Sequence, residues 1–237
     1  MVITACFLMV GCGFRENDNP GDGNPRAQQV TIQLSDRYPS YTAQDWVTYS
    51  DAVALVEVTK EQREAPSEDD VQLGEGTVPR TVTLQVIDIL WSAPEGTPLP
   101  QTVKYEALGW AFHSGNTESG APLVSLDRPR FESGQQYLVA LDWEDERCYE
   151  GDGVIPGSWR GLGANSALPV TDGVIGVGEF GGQQRDLARA EEYAASLLEE
   201  NSVAEAVTGE GPDDVRKLLA ATEPGTPGDY GPQPSTC

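Results

Sequence analysis

TVTLQVIDILW, residues 81 to 91, is the stretch whose pattern decides the fold. Val82, Leu84 and Val86 share one face at period two, the spacing of a half-buried strand, and then Ile87, Ile89 and Trp91 take up the alternation on the other face. Side chains alternate strictly along a strand, so the apolar side changes only where a residue is inserted or the strand bends. A β-bulge at Val86-Ile87, or a strand passing between two packing surfaces, is therefore expected.

The flanking segments supply the rest of a sheet. Val30, Ile32 and Leu34 alternate with Thr31 and Gln33, and residues 52 to 59, AVALVEVT, are apolar on both faces until Glu57, as in a well-buried strand. Between them, Thr42 reads as an N-cap with Asp45 at N3 and Trp46 facing inward. The acidic segment from Glu61 to Gly76, with Pro66 and Gly74, reads as an exposed loop. Residues 103 to 108 and 136 to 143 are further strands, and Asp172-Gly173 joins 168 to 170 with 174 to 177 as a hairpin.

The period then changes. Leu187, Ala190, Ala194, Leu197 and Leu198 fall at helical spacing behind Asp186; Ser202 and Glu205 form a capping-box signature; Pro212 opens a third helix carrying Val215, Leu218 and Leu219. Strands first and helices last predict an α+β fold, mainly antiparallel β as a small curved sheet or OB-like barrel, followed by a C-terminal helical segment. The expected organisation is a signal-peptide-like segment at 1–11, a flexible tether at 12–29, a β-domain at 30–182, a helical appendage of the same domain at 183–222 and a Pro/Gly-rich tail at 223–237. The strand ending near Val58, TVTLQVIDILW, the short KYEAL strand and GQQYLVAL together resemble an OB-type, netrin-like barrel over about residues 46 to 143. No free Cys stands at the start of that region and no matching disulfide set is present, so the resemblance implies architecture and not protease inhibition.

Fifteen basic residues against 38 acidic ones give a net charge of -23, a field that repels nucleic-acid phosphates, so a nucleic-acid partner is not expected. Lys60, Lys104 and Lys217 are the only lysines and the other twelve basic residues are Arg. This skew reads as a GC-rich coding sequence or a salty habitat.

Residues 2 to 11 are apolar, about half of the roughly 20 residues a spanning helix needs, and read as a signal-peptide h-region. Met9-Val10-Gly11-Cys12 resembles the bacterial lipobox. The resemblance implies that Cys12 is diacylglycerated and becomes the N-terminus, which places the protein on the outer face of the cell membrane, extracytoplasmic and lipid-anchored. Met9 stands where the family usually has Leu, and no basic residue precedes the apolar run; a start codon lying upstream would account for the second departure. The competing reading makes residues 1 to 14 a buried element with an incidental Cys. Residues 15 to 29, built of Asn, Asp, Gly, Pro and Gln, have the composition of a tether. If export removes Cys6 and lipidates Cys12, Cys148 and Cys237 remain in a compartment where disulfides persist and are expected to pair, the alternative being a free terminal thiol. By the chain-entropy argument such a bridge contributes at most roughly 4 to 5 kcal/mol.

Motifs for chemistry are sparse. His113 is the only histidine, HExxH and GxSxG are absent, and Cys148 and Cys237 are too few for a thiolate zinc site. His113 lies after Trp110 and Phe112 in a Gly-rich stretch, and Trp110, His113 and Trp159 are a possible ligand surface; the alternatives are core tryptophans and a loop histidine without a role. Asp142, Glu144, Asp145 and Glu146, with Glu150 and Asp152 around Cys148, are calcium candidates or a solvated loop. Gly176, Gly178 and Gly181 match GxGxxG but read as a Gly-rich hairpin exit, because the next helix starts too late and Glu179 would face the phosphates. No catalytic residue and no cofactor is assigned. The expected function is that of an exported, lipid-anchored cell-envelope protein, a monomeric non-catalytic module that binds an unknown protein or small ligand. The alternative is an envelope hydrolase using His113 or paired carboxylates.

Overall fold

A computed structural model describes residues 29–149, 153–197 and 201–230. The expected targeting segment, Cys12, the tether up to residue 28, Glu150, Asp152, Leu198 and Cys237 lie outside the described residues. The N-terminal elements are β1 (Val30–Ile32), α1 (Ala43–Tyr49), β2 (Ala52–Arg63), α2 (Glu68–Leu73), β3 (Gly76–Ser92), β4 (Thr102–Phe112), β5 (Ala121–Ser125) and β6 (Gln136–Glu144). Short strands follow: β7 (Arg147–Tyr149), β8 (Gly153–Ile155), β9 (Ser158–Gly161), β10 (Ala167–Thr171), β11 (Val174–Ile175), β12 (Gly178–Phe180) and β13 (Gln183–Arg185). The chain then turns helical in α3 (Leu187–Ser196), α4 (Val203–Val207) and α5 (Pro212–Ala221).

The main sheet runs β1-β5-β4-β3-β2-β6-β10-β11, and β9 and β10 pair with successive stretches of β6. Only β1 with β5 is parallel in that sheet. The fold is α+β with the helices last, and of the two forms expected the curved sheet is present, since it does not close into a barrel. β7–β8 and β12–β13 are separate hairpins.

β3 behaves as TVTLQVIDILW predicts, with one correction. Leu55 faces Asp88 and Val56 faces Val86, so Ile87 is an extra residue on β3; Ala54 faces Ile89 and Val53 faces Trp91, so Leu90 is a second. Val82 and Leu84 bury in a cluster with Val56, Val58, Val103, Tyr137 and Val139, whereas Leu90 buries in another with Trp46, Val53 and Leu138. The strand thus passes between two packing surfaces. Ile87 and Ile89, expected on the second surface, are 46% and 38% exposed, because the second bulge interrupts the alternation and hands the buried place to Leu90.

β2 and β6 cross the middle of the sheet and are covered on both faces. Leu138 and Ala140 join the cluster under the helices, while Tyr137, Val139 and Leu141 join the opposite one. Trp46, Ala194, Val203, Val207, Val215 and Leu219 complete the helical cluster, each large apolar side chain contributing roughly 1.5–3 kcal/mol by its removal from water. The Thr42 hydroxyl accepts from the Asp45 N–H at 3.0 Å and the Asp45 carboxylate accepts from the Thr42 N–H at 2.8 Å, a complete capping box. Asp186 and Ser202 cap α3 and α4, and Pro212 occupies the first turn of α5. Asp172 and Gly173, at φ 52° and 78°, make the tight β10–β11 hairpin.

The acidic excursion needs correcting. β2 continues to Arg63, β3 begins at Gly76, and α2 stands between them with the Ser67 hydroxyl accepting from the Asp70 N–H and Gly74 ending the helix at φ 77°. α2 buries none of its residues, so no apolar face announces it; Glu68, Asp69 and Asp70 in its first turn favour it through the helix dipole. The start of the expected tail lies along α1: Gln44 donates to the Glu223 carbonyl, and the N–H groups of Gly225 and Gly228 donate to the hydroxyls of Thr48 and Tyr49.

Candidate functional site

The three residues expected to form a ligand surface are not gathered into one. Trp110 is on β4, not in a loop, and is 9% exposed; it packs with Val78 and Phe112 while the guanidinium carbons of Arg63, Arg130 and Arg80 stand 4.0, 5.2 and 5.7 Å from its ring centre. Trp159 is on β9, 6% exposed, and meets Trp143 edge to face at 5.6 Å in a different cluster. His113 alone is exposed, with its Nδ1 3.7 Å from the Glu75 carboxylate. Strand pairing explains the difference: Trp110 faces Val78 across β3–β4 and Trp159 faces Trp143 across β6–β9.

The acidic run is tied up by arginine. Asp142 pairs with Arg37 at 3.3 Å; Glu144 pairs with Arg147 at 2.6 Å, Arg160 at 2.9 Å and Arg37 at 3.5 Å; Asp145 accepts from the Trp143 indole at 2.9 Å. Glu146 shares the β6–β7 turn. Among the described residues no group of three or more His, Cys, Asp or Glu is placed to hold a metal ion. Cys148 lies in the β7–β8 hairpin, and its expected partner Cys237 is outside the described residues, as is Cys12. The GxGxxG stretch forms the β12–β13 hairpin, where the Glu179 carboxylate accepts from the Arg130 and Gly182 N–H groups and burial raises its pKa.

The side chains that do converge are arginines. A pocket of about 290 Å³ lies where the segment after β1, the middle of β4, Arg128 and β9 meet, and Arg37, Arg128 and Arg160 all line it. Backbone ties place them: the N–H groups of Arg37 and Tyr38 both donate to the Leu162 carbonyl at 3.0 Å, and the Asp36 carboxylate accepts from Ala164 N–H at 2.7 Å and from Arg128 at 3.2 Å. Pairing of β9 with β6 sets Arg160 opposite Asp142, and from there its Nε reaches Glu144, whose side chain is only 11% exposed. Tyr105 and Trp159 provide aromatic wall, and Gly161 permits the close fit, since a Cβ there would stand 2.8 Å from the Tyr105 hydroxyl. Burial pushes the Tyr105 phenol up, partly offset by Arg128, so it stays protonated.

The carboxylates around the pocket differ in position. Asp36, Asp142 and Glu144 hold the arginines without contributing to the wall, whereas Glu106 lines the pocket, is 70% exposed and pairs with Arg160 Nη1 at 2.7 Å. Nη1 of Arg37 is buried with no hydrogen-bond partner among the described residues, and Nε of Arg128 stands 3.6 Å from the Asp127 carboxylate without a hydrogen bond, so both N–H groups keep donor capacity. Planar guanidiniums in this arrangement suit an oxyanion and neither give nor take protons near neutral pH. Sequence reasoning missed the pocket, because the arginine-over-lysine skew reads there as composition, while three of the twelve arginines meet at this one place. A larger cleft of about 560 Å³ between α1, α4 and α5 has Glu205 as its one charged wall residue. No protein-family model matches the sequence, and no curated protein matches it.

Proposed function

We propose that this chain is a non-catalytic binding module held on the outer face of the cell membrane by a lipid on Cys12. What supports the binding half of the reading is the chemistry of the arginine-lined pocket, where three guanidiniums held in place by carboxylates behind them suit recognition of an oxyanion. His113, the one imidazole, stands exposed beside Glu75, outside that pocket. The anchoring half rests on the Met9-Val10-Gly11-Cys12 resemblance and on the tether composition that follows it, with the described fold starting at Val30. No described helix is long and apolar enough to cross a membrane. In the same reading Cys148 and Cys237 form a bridge.

Intact mass of the protein recovered from membranes tests the anchor. An acylated Cys12 at the N-terminus, lost on treatment with globomycin, is expected; a mature chain that keeps an unmodified Met1 overturns it. A hydrolytic activity abolished by His113→Ala overturns the non-catalytic assignment.

A further inference from the structure

We propose that the Arg37–Arg128–Arg160 pocket binds the oxyanion of a small ligand, a carboxylate or a phosphate, and that the Glu106 carboxylate is a built-in competitor for it. In a chain with 38 acidic and 15 basic residues, three arginines converge on one wall, and the carboxylates of Asp36, Asp142 and Glu144 stand behind it. Each arginine is held from outside the wall by a carboxylate, Arg37 by Asp142, Arg128 by Asp36 and Arg160 by Glu144. This fixes the forks before a ligand arrives and lowers the entropy lost on binding.

Glu106 is different. It is the one carboxylate on the pocket wall, and its contact with Arg160 is an exposed ion pair of the kind that contributes little. An incoming oxyanion exchanges with it at Arg160 Nη1 while Glu144 keeps hold of Nε, so Arg160 is never left without a counter-charge. The volume of about 290 Å³ matches on the order of ten water molecules, enough for a single-ring or citrate-sized molecule. Leu34 and Trp159 offer such a ligand an apolar side.

The inference gives the binding-module reading its ligand class, yet it is tested separately, because titrating the purified full-length chain does not depend on the lipid. The probes are citrate, glucuronate, inorganic phosphate and sulfate at constant ionic strength, with glucose as the neutral control, followed by calorimetry and by thermal unfolding. Saturable binding of at least one anion and none of glucose is expected; carboxylates binding alone, or phosphate and sulfate alone, identify which oxyanion is taken. Arg128→Gln and Arg160→Gln are expected to weaken that binding about tenfold or more, and Glu106→Gln to tighten it roughly two- to fivefold. Glu106→Gln alters an exposed side chain and leaves every arginine in place, so it decides the matter even where an arginine variant does not fold. Absence of saturable binding by all four anions, binding unchanged in folded arginine variants, or binding weakened by Glu106→Gln overturns the proposal. Anion binding by a chain without an acylated Cys12 keeps the pocket and removes only the anchor.

Discussion

Arg80 and Arg130 donate to the same acceptor, the carbonyl oxygen of Leu108, at 3.2 and 2.7 Å. The reason lies in the β3–β4 ladder. Val78 faces Trp110 and Arg80 faces Ala107, so β4 carries an irregularity at Leu108-Gly109 that frees carbonyls from the sheet. The two guanidiniums replace the lost partners: Arg130 also donates to Gly109 at 2.9 Å and to Leu123 on β5 at 2.7 Å, and Arg80 donates to Phe131. Glu61 at 2.8 Å and Glu132 at 3.0 Å balance the charges, and Trp110 lies beneath both.

Arg130→Ala therefore strands the Gly109 and Leu123 carbonyls, leaves the Leu108 carbonyl to Arg80 alone and loosens β5 from β4. The expected loss is about 3–5 kcal/mol, the range for breaking a buried charged network. Urea denaturation checks it, as a lower midpoint at unchanged slope.

Gly109 sits against the same irregularity, where a Cβ would lie 1.9 Å from the carbonyl oxygen of Val78. Both neighbours are backbone, so neither side yields easily. Gly109→Ala is expected to cost at least about 2 kcal/mol, a fall in melting temperature on the order of 4–8 °C for a domain of this size. A scan showing no change contradicts the close approach.

The capping box of α1 joins the Thr42 and Asp45 side chains to each other's backbone N–H. Thr42→Ala removes one of those acceptors and is expected to lower stability by about 1 kcal/mol, whereas Thr42→Ser keeps most of it. Parallel thermal scans of the two variants distinguish capping from a methyl packing effect.

Burial raises the Asp142 carboxyl to about 6 against the pull of Arg37, and the nearby Asp51 and Glu144 carboxylates add to the rise. Tyr38, whose own phenol is pushed up by burial and by Asp142, faces the same group. The folded protein thus holds this proton more tightly than the unfolded chain, whose carboxyl titrates near 4. The stabilisation is complete below about pH 4 and is lost as pH rises through about 6. Allowing for screening at its partial exposure, it amounts to on the order of 1 kcal/mol. Asp142→Asn cannot titrate, so its stability relative to the parent is expected to grow as pH is raised from 4.5 to 7; a difference independent of pH contradicts the assignment.

Local features of this fold are legible in the sequence wherever a short-range rule decides them. Thr42 with Asp45, Asp172-Gly173, Asp186 and Pro212 each act through neighbours a few residues away and do what their patterns imply, and Ser202 caps α4 by accepting from the Glu205 N–H. The change of face at Val86-Ile87 is visible for the same reason, but Leu90 is not, because a second bulge depends on the partner strand. α2 is hidden because it buries nothing. The pocket is the furthest from view: Arg37, Arg128 and Arg160 are brought together by long-range pairings, and each looks in the sequence like an isolated surface charge among acids. Trp110 and Trp159 mislead in the opposite direction, since glycines beside them suggest loops while the ladders place them on strands.

The most direct test of the oxyanion pocket watches the arginines themselves. In an NMR titration of the full-length chain with citrate and with phosphate, the side-chain Nε resonances of Arg128 and Arg160 are expected to shift together and saturate, at lower ligand concentration in Glu106→Gln, while those of Arg189 and Arg216, outside the pocket, stay in place. Resonances of Arg128 and Arg160 that do not move with either anion, or that move no more than those of Arg189 and Arg216, contradict it.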